Sequence, residues 1–466
     1  MSTRIPEDST SGYVGQIIDP DWSPEEQLAM PVSVPDHPAY LPFPGPGIHF
    51  RMPEDEYHRI NACSTSELKR MSVSSMEAWA YSRRNPDYEE QSSKFFDYGK
   101  AVHCLVLEGS EEYERRYAVE LDASDFEGAL VSTEDIKAAI SKFREMAPVE
   151  PRGTTKQELI DQLLDLGRRH GREVNPEGTI AELRARIREF SEERPVAPIT
   201  RVEVIEDGVR RIRPAAKRDL IDQLMRLDPN ARVWDRILAN HLAANEGKIM
   251  ITARDDRRVR VAAQMIERHP DAGKLLKGGH AEVSLFWYCP RTGAPMKARV
   301  DYLRLSAIID LKTFSNKSGK PIDRAIEHTI ATYRYNLQHC IYDEAVREVR
   351  KVLRAQGEKA IHSHDAPDRH AERVDWAMRW AGQDDPPAFI FIFLQSGLAP
   401  VTRVKVMPRQ LVFSVTNAQA ERLKRAWIEC VQTYGNDPWL DLQPMSEIED
   451  EAIPEWATEL GRDGCE

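Results

Sequence analysis

The chain is predicted to be α/β, with a mixed central β-sheet flanked by helices and interrupted by a helical insertion. Three observations carry that expectation. Residues 282–312 read as a hairpin followed by a third strand, because apolar positions alternate and Pro290 and Gly293 punctuate the turn. A second strand pair, 388–394 with 401–407, follows a long helical stretch and is joined by the Ser396–Gly397 turn. Between the first helices and the hairpin lies a charged, helix-patterned stretch with an internal near-repeat.

The elements follow in order. Residues 1–47 hold nine of the 30 prolines and little periodicity, so they read as an arm ordered only where it lies on something else. Residues 48–120 open the main domain. There Ser64-Thr65-Ser66-Glu67 fits a capping box, predicting a helix through about Arg83. A second helix is expected from about Phe95 to Glu108, with Phe96, Gly99, His103 and Val106 on one face. Residues 121–235 form the insertion. Its repeat begins at Lys156 and again at Lys217, each copy one short amphipathic helix. The first copy, with Thr179–Ile187, resembles small helix–loop–helix modules of the SAP and LEM kind, some of which bind DNA; a solvated helical spacer is the alternative. Residues 236–436 complete the main domain. They are expected to hold a helix over 254–268, the hairpin, the strand 306–312, a helix over 323–351, a polar loop over 362–373, the second strand pair and a last helix over 417–434. Residues 437–466 are an acidic tail.

Composition narrows the function classes. The formal charge is −12, but residues 1–60 carry ten acids against three bases and residues 437–466 ten against one. The intervening stretch is therefore at +4, so the total does not argue against a phosphate-binding surface. No run approaches the roughly 20 apolar residues of a membrane helix, and the first residues lack a signal-peptide layout, so a cytoplasmic protein is expected. The six cysteines have no paired spacing, which speaks against a disulfide framework, a zinc knuckle or an iron–sulfur nuclease. No G-x4-G-K-[ST] occurs, so no ATP motor is expected.

The chemistry concentrates in Val300-Asp301 and Ile309-Asp310-Leu311-Lys312. In a strand, i and i+2 share a face, so Asp310 and Lys312 project together, and Asp301 on the adjacent strand can meet them. Phosphodiester cleavage needs an activated water and charge neutralisation at the phosphate. Carboxylates hold hard Mg²⁺ or Mn²⁺ ions that supply both, and a lysine can orient the water or stabilise developing charge. Glu282, at the head of the hairpin, can add a carboxylate; as a solvent-facing strand residue it would add nothing. Tyr335, Gln338 and Tyr342 share a helical face that could position a phosphate or simply be a partly buried polar stripe. His103, in an otherwise apolar helix, is either a core residue or a neutral metal ligand.

This set resembles the PD-(D/E)xK nucleases, with Val300 in place of the family's proline. In order and spacing, Phe96–Cys104, Ala281–Ser284, Arg299–Asp301, Ile309–Thr313 and Tyr335-x-x-Gln338-x-x-x-Tyr342 resemble the RecE-type exonucleases (exodeoxyribonuclease VIII), as do Ser64–Leu68 and Pro454–Ala457 at the edges. The resemblance implies that His103, Glu282, Asp301, Asp310 and the Leu311 carbonyl surround the metals. It makes Lys312 the catalytic lysine, with Ser66, Tyr335, Gln338 and Tyr342 on the substrate. It further implies Mg²⁺, with Mn²⁺ as a substitute, double-stranded DNA ends cut 5′→3′, a homo-oligomer and a RecT-like single-strand annealing partner. Two alternatives stay open: an endonuclease of the same superfamily, and a non-catalytic DNA-binding recombination factor.

Overall fold

The computed structural model describes residues 30–88, 97–206, 209–317, 319–365, 367–397, 399–409 and 411–442. Phe96, the Pro454–Ala457 motif and most of the proposed arm and acidic tail lie outside them. The chain divides into two compact units, residues 1–114 with 254–466, and residues 115–253.

The first unit is built on an eight-stranded mixed sheet. Its strands are β1 (Gly47–Phe50), β2 (Cys63–Ser64), β3 (His280–Tyr288), β4 (Pro295–Leu303), β5 (Ala307–Phe314), β6 (Ile361–Ser363), β7 (Ala388–Gln395) and β8 (Thr402–Val406). The spatial order is β6-β1-β3-β4-β5-β7-β8, with β2 paired to β4. The β1–β6, β5–β7 and β2–β4 pairings are parallel and the others antiparallel. Alternation in β3 and β4 places Val283, Leu285, Trp287, Met296, Ala298 and Val300 in one core, fully buried. The β7 run Phe389–Leu394 is buried throughout, as a central strand covered on both faces should be.

Helices α1 (Thr65–Met71), α2 (Tyr98–His103), α4 (Ile322–Thr332), α5 (Tyr335–Gln356), α6 (His370–Ala381) and α7 (Leu411–Tyr434) flank the sheet, and α3 (Ala253–Arg268) precedes β3 in the chain. Leu337, Ile341, Ala345, Val349 and Leu353 give α5 the apolar stripe that seats it on the core. The described end of the arm lies on this unit. Val32 N–H donates to the Gly293 carbonyl at 2.9 Å, and Phe43 packs against Phe286 and Tyr288.

Several boundaries differ from expectation. The helix expected through Arg83 stops at Met71 and restarts at Ser75, because Ser74 caps a second helix by accepting from Glu77 N–H. The helix expected over 95–108 is α for six residues only; Cys104–Glu108 is a π turn. The helix expected over 323–351 breaks at Arg334, whose φ of +51° no sequence cue announces. The 362–373 stretch is not loop throughout: Ile361–Ser363 is a strand supplied with a partner by β1, and α6 begins at His370.

The second unit is not purely helical. It contains two-stranded sheets pairing 117–119 with 249–251, 144–148 with 191–195, and 201–206 with 209–214. Most of these strands are short or charged and exposed; only 201–206 alternates, with Val202 and Val204 half-buried and Arg201 and Glu203 exposed. The two near-repeat helices have separate cores. Lys156–His170 packs with Ile180–Arg188 through Leu159, Leu163, Leu166, Leu183 and Ile187. Lys217–Leu227 packs with Thr133–Ile140 through Leu220, Leu224, Ile136 and Ile140. Both helices of the first pair begin with a Thr-x-x-Glu capping box.

Candidate active site

The site lies where β3, β4 and β5 run side by side. Register sets it up: the β3–β4 ladder pairs Val283 with Val300 and Ala281 with Tyr302, but skips the Glu282/Asp301 position between them. There Glu282 has φ +54°, a left-handed conformation that costs a non-glycine residue of order 1 kcal/mol or more. On the other side Tyr302 pairs with Ile309, so one further step along that register sets Asp301 across from Asp310. Asp301 Oδ2 then accepts from Leu311 N–H at 2.8 Å, which ties the two strands through a side chain.

Helix α2 brings the histidine. Gly99 lies close to β5: a Cβ there would come 3.0 Å from Thr313 Oγ1. His103 Nδ1 sits 3.7 Å from Asp301 Oδ2. Ligand atoms of His103, Glu282 and Asp301 all fall within 4.8 Å of one another. The π turn that follows His103 is a feature often found at functional positions.

Asp310 and Lys312 do project together, with Lys312 Nζ 2.5 Å from Asp310 Oδ1. Helix α5 covers them: Gln338 Nε2 donates to Asp310 Oδ2, and the Lys312 ammonium lies 5.4 Å from the Tyr335 ring centroid. Tyr342 is next along the same face, and its hydroxyl donates to the Arg299 carbonyl at 2.8 Å. Ser66 is exposed on α1 and lines a separate cavity with Arg70, Tyr81, Arg83 and Tyr342. The structure thus joins His103, Glu282 and Asp301 in one group and Asp310, Lys312 and Gln338 in an adjoining one. Ser66 stands apart from both.

Electrostatics follow from that packing. Burial, then the Asp310 carboxylate, drives Asp301 well above the usual carboxylate range, and Glu282 adds to the effect. Lys312 and the Leu311 N–H oppose it. Burial disfavours charge on Lys312, but Asp310 and Asp301 outweigh it and hold the ammonium above its ordinary value. Burial, then Lys312, pushes the His103 imidazole down, against Glu282, Asp310 and the Leu311 backbone. A neutral imidazole beside crowded carboxylates suits a divalent cation, which would relieve the repulsion that raises Asp301.

Two residues were not singled out in the sequence. Arg299 Nε lies 2.6 Å from Glu282 Oε2, and Arg299 Nη1 donates to the Met52 carbonyl. Its i+2 relation to Asp301 was a usable signal. Lys69, on α1, has its ammonium 4.9 Å from the Tyr335 ring centroid. Burial, then Lys312, lowers it to about 8, with Asp310 pulling the other way. Nothing in the local sequence separates it from a surface lysine.

Comparison with known proteins bears on the sheet and the insertion separately. A family model described as a PDDEXK-like domain of unknown function matches residues 239–363, a span that takes in Glu282, Asp301, Asp310, Lys312 and Gln338. Another, described as DNA packaging protein FI, matches residues 155–225. No curated protein matches the chain. Among solved structures, a crystal structure described as "Putative exonuclease" from Eubacterium rectale is similar at 13% identity, over 49% of this chain and 75% of that one. Its TM-score is 0.26, and a likeness at that level bears no functional weight. The PDDEXK-like family model thus spans strands β3, β4, β5 and β6 of the mixed sheet. No helix among the described residues is long and apolar enough to cross a membrane.

Proposed function

We propose that the chain is a metal-dependent, ATP-independent exodeoxyribonuclease of the RecE type, degrading one strand of linear double-stranded DNA from the 5′ end. The observation that carries the nuclease reading is the convergence of His103, Glu282 and Asp301 beside the Asp310–Lys312 pair. Polarity, a homo-oligomer, a RecT-like annealing partner and a role in recombination rest on the resemblance in motif order alone.

His103, Glu282 and Asp301 would hold Mg²⁺ or Mn²⁺, with the Leu311 carbonyl and Asp310 on the adjoining strand completing the surround. A cation bound there supplies an acidified water and neutralises charge on the scissile phosphate. The rest falls to the protein. Asp310, itself bonded by Gln338, holds the Lys312 ammonium in place, and that positive charge would face the position where charge develops on the phosphate. His103 stays neutral and keeps its nitrogen available. A protein that only bound DNA would gain nothing from converging carboxylates, which repel phosphate.

The test is purified protein with end-labelled linear duplex and with covalently closed circular duplex, in Mg²⁺ and in EDTA. Stepwise shortening of the linear DNA only, lost in EDTA, is expected. Cutting of the closed circle identifies an endonuclease instead, and an intact linear duplex in Mg²⁺ removes the nuclease reading. Labelling each end separately gives the polarity.

A further inference from the structure

The cations around the carboxylate cluster are not equivalent. Lys312 has Asp310 at 2.5 Å and Arg299 has Glu282 at 2.6 Å. The Lys69 ammonium, half-buried on α1, makes no hydrogen bond or ion pair among the described residues. What it faces is the Tyr335 ring, at 4.9 Å, whose centroid is also 5.4 Å from the Lys312 ammonium. Two positive groups thus crowd one aromatic ring, and only one of them has a counterion. A partly desolvated charge in that position is costly unless an anion joins it.

The three groups come from three rigid elements. Lys69 is fixed by α1, whose N-terminus is closed by the reciprocal Ser64–Glu67 capping box. Lys312 sits in the interior of the sheet on β5. Tyr335 opens α5 directly after the left-handed Arg334, and its ring is held between Tyr333, Phe391 and Phe393. An anion joining Lys69 must also tolerate Asp301, Asp310 and Glu282 nearby. A phosphodiester does so once a cation is bound among them; a carboxylate ligand would bring no reason to be there.

We propose that Lys69 and Lys312, over the Tyr335 ring, form a phosphate-binding position that takes a non-bridging oxygen of the DNA strand being cut. This rests on the nuclease reading above and adds a substrate contact that reading does not contain. Lys69 is then a residue that touches substrate, and its charge, rather than its packing, is what the site uses.

The experiment uses the full chain and the variants Lys69→Gln, Lys69→Met and Lys69→Arg. Binding of a linear duplex is measured in Ca²⁺ across a salt series, followed by single-turnover cleavage in Mg²⁺ and thermal melting. Gln and Met should each lower the log–log salt slope by about 0.9, the value for one lost phosphate contact. Both should slow cleavage about ten- to a hundredfold, the range for one charge-assisted hydrogen bond. Arg should keep slope and rate near wild type. Wild-type slopes and rates in Gln and Met would overturn the proposal, as would lowered melting with an unchanged slope in Met, which preserves the packing stem. A wild-type protein that leaves DNA uncut overturns the nuclease reading, and the Ca²⁺ slopes still decide whether Lys69 meets phosphate.

Discussion

Glu282 spends conformational energy in the middle of a strand to stand beside Asp301, and Arg299 holds its carboxylate there. At the scale of single residues, charge placement accounts for most of the site. Asp310→Asn keeps the shape and the contact with Gln338 but removes the counterion of Lys312. Mg²⁺-dependent degradation of linear duplex should fall on the order of a thousandfold, and stability by about 3 kcal/mol, as for other broken buried pairs. The double variant Asp310→Asn with Lys312→Met should recover stability in urea unfolding without recovering activity. Activity near wild type in Asp310→Asn would remove this residue from the chemistry. His103→Ala should lose cleavage while its melting temperature, measured in EDTA, stays near wild type; a variant that melts early or cuts normally makes His103 a packing residue. The Asp301, Asp310 and Lys312 set was readable in the sequence because strand periodicity is local. Lys69 was not, because its meaning comes from Lys312 and Tyr335, far downstream.

At the scale of elements, β3, β4 and β5 with their hairpin and the β7–β8 pair were readable in the sequence, and the shorter β1, β2 and β6 were not. Strands β1 and β6 have four and three residues; β1 is held between β3 and β6, and β6 takes its partner from β1. Their junction also carries a titration. His49 on β1 stacks on His362 of β6 at 4.3 Å, and its Nδ1 lies 3.3 Å from His364 Nε2, with Phe286 against its edge. Burial, then His362 and His364, lowers His49 to about 3. A depressed histidine contributes stability that is whole above the unfolded value near 6.5 and is lost as pH falls towards 3, since the unfolded chain then binds the extra proton. Unfolding free energy should therefore drop with falling pH, His49 adding a slope of up to about 1.4 kcal/mol per unit below pH 6. Denaturant melts of wild type and His49→Phe between pH 7 and 4 measure it. Parallel curves for the two proteins would show that His49 does not titrate as its surroundings dictate. The break at Ser72–Ser74 had a local cue, the Ser74-x-x-Glu77 cap that restarts the helix, whereas the left-handed Arg334 interrupts a stretch with no such cue.

At the scale of the molecule, the near-repeat proved informative about composition and misleading about architecture. Its two copies are both amphipathic helices, yet one packs with its sequence neighbour and the other with a helix from before the first copy. Pairing partners are a tertiary matter that a helical period does not encode. The same unit gives a further prediction. If its helices touch the DNA backbone, deleting residues 121–235 should lower the salt slope of duplex binding in Ca²⁺ by about 0.9 per contact. Equal slopes with and without them would leave a spacer or a protein-docking module. The parallel pairing of 117–119 with 249–251 has a consequence of another kind. Chain enters and leaves the inserted unit through two adjacent strands, and the entropy of closing so large a loop grows only with the logarithm of its length. Whatever lies between those strands can lengthen, shrink or be exchanged over a lineage at little thermodynamic penalty to the rest. The seam, and not the module it bounds, is therefore the part on which inheritance should be most conservative.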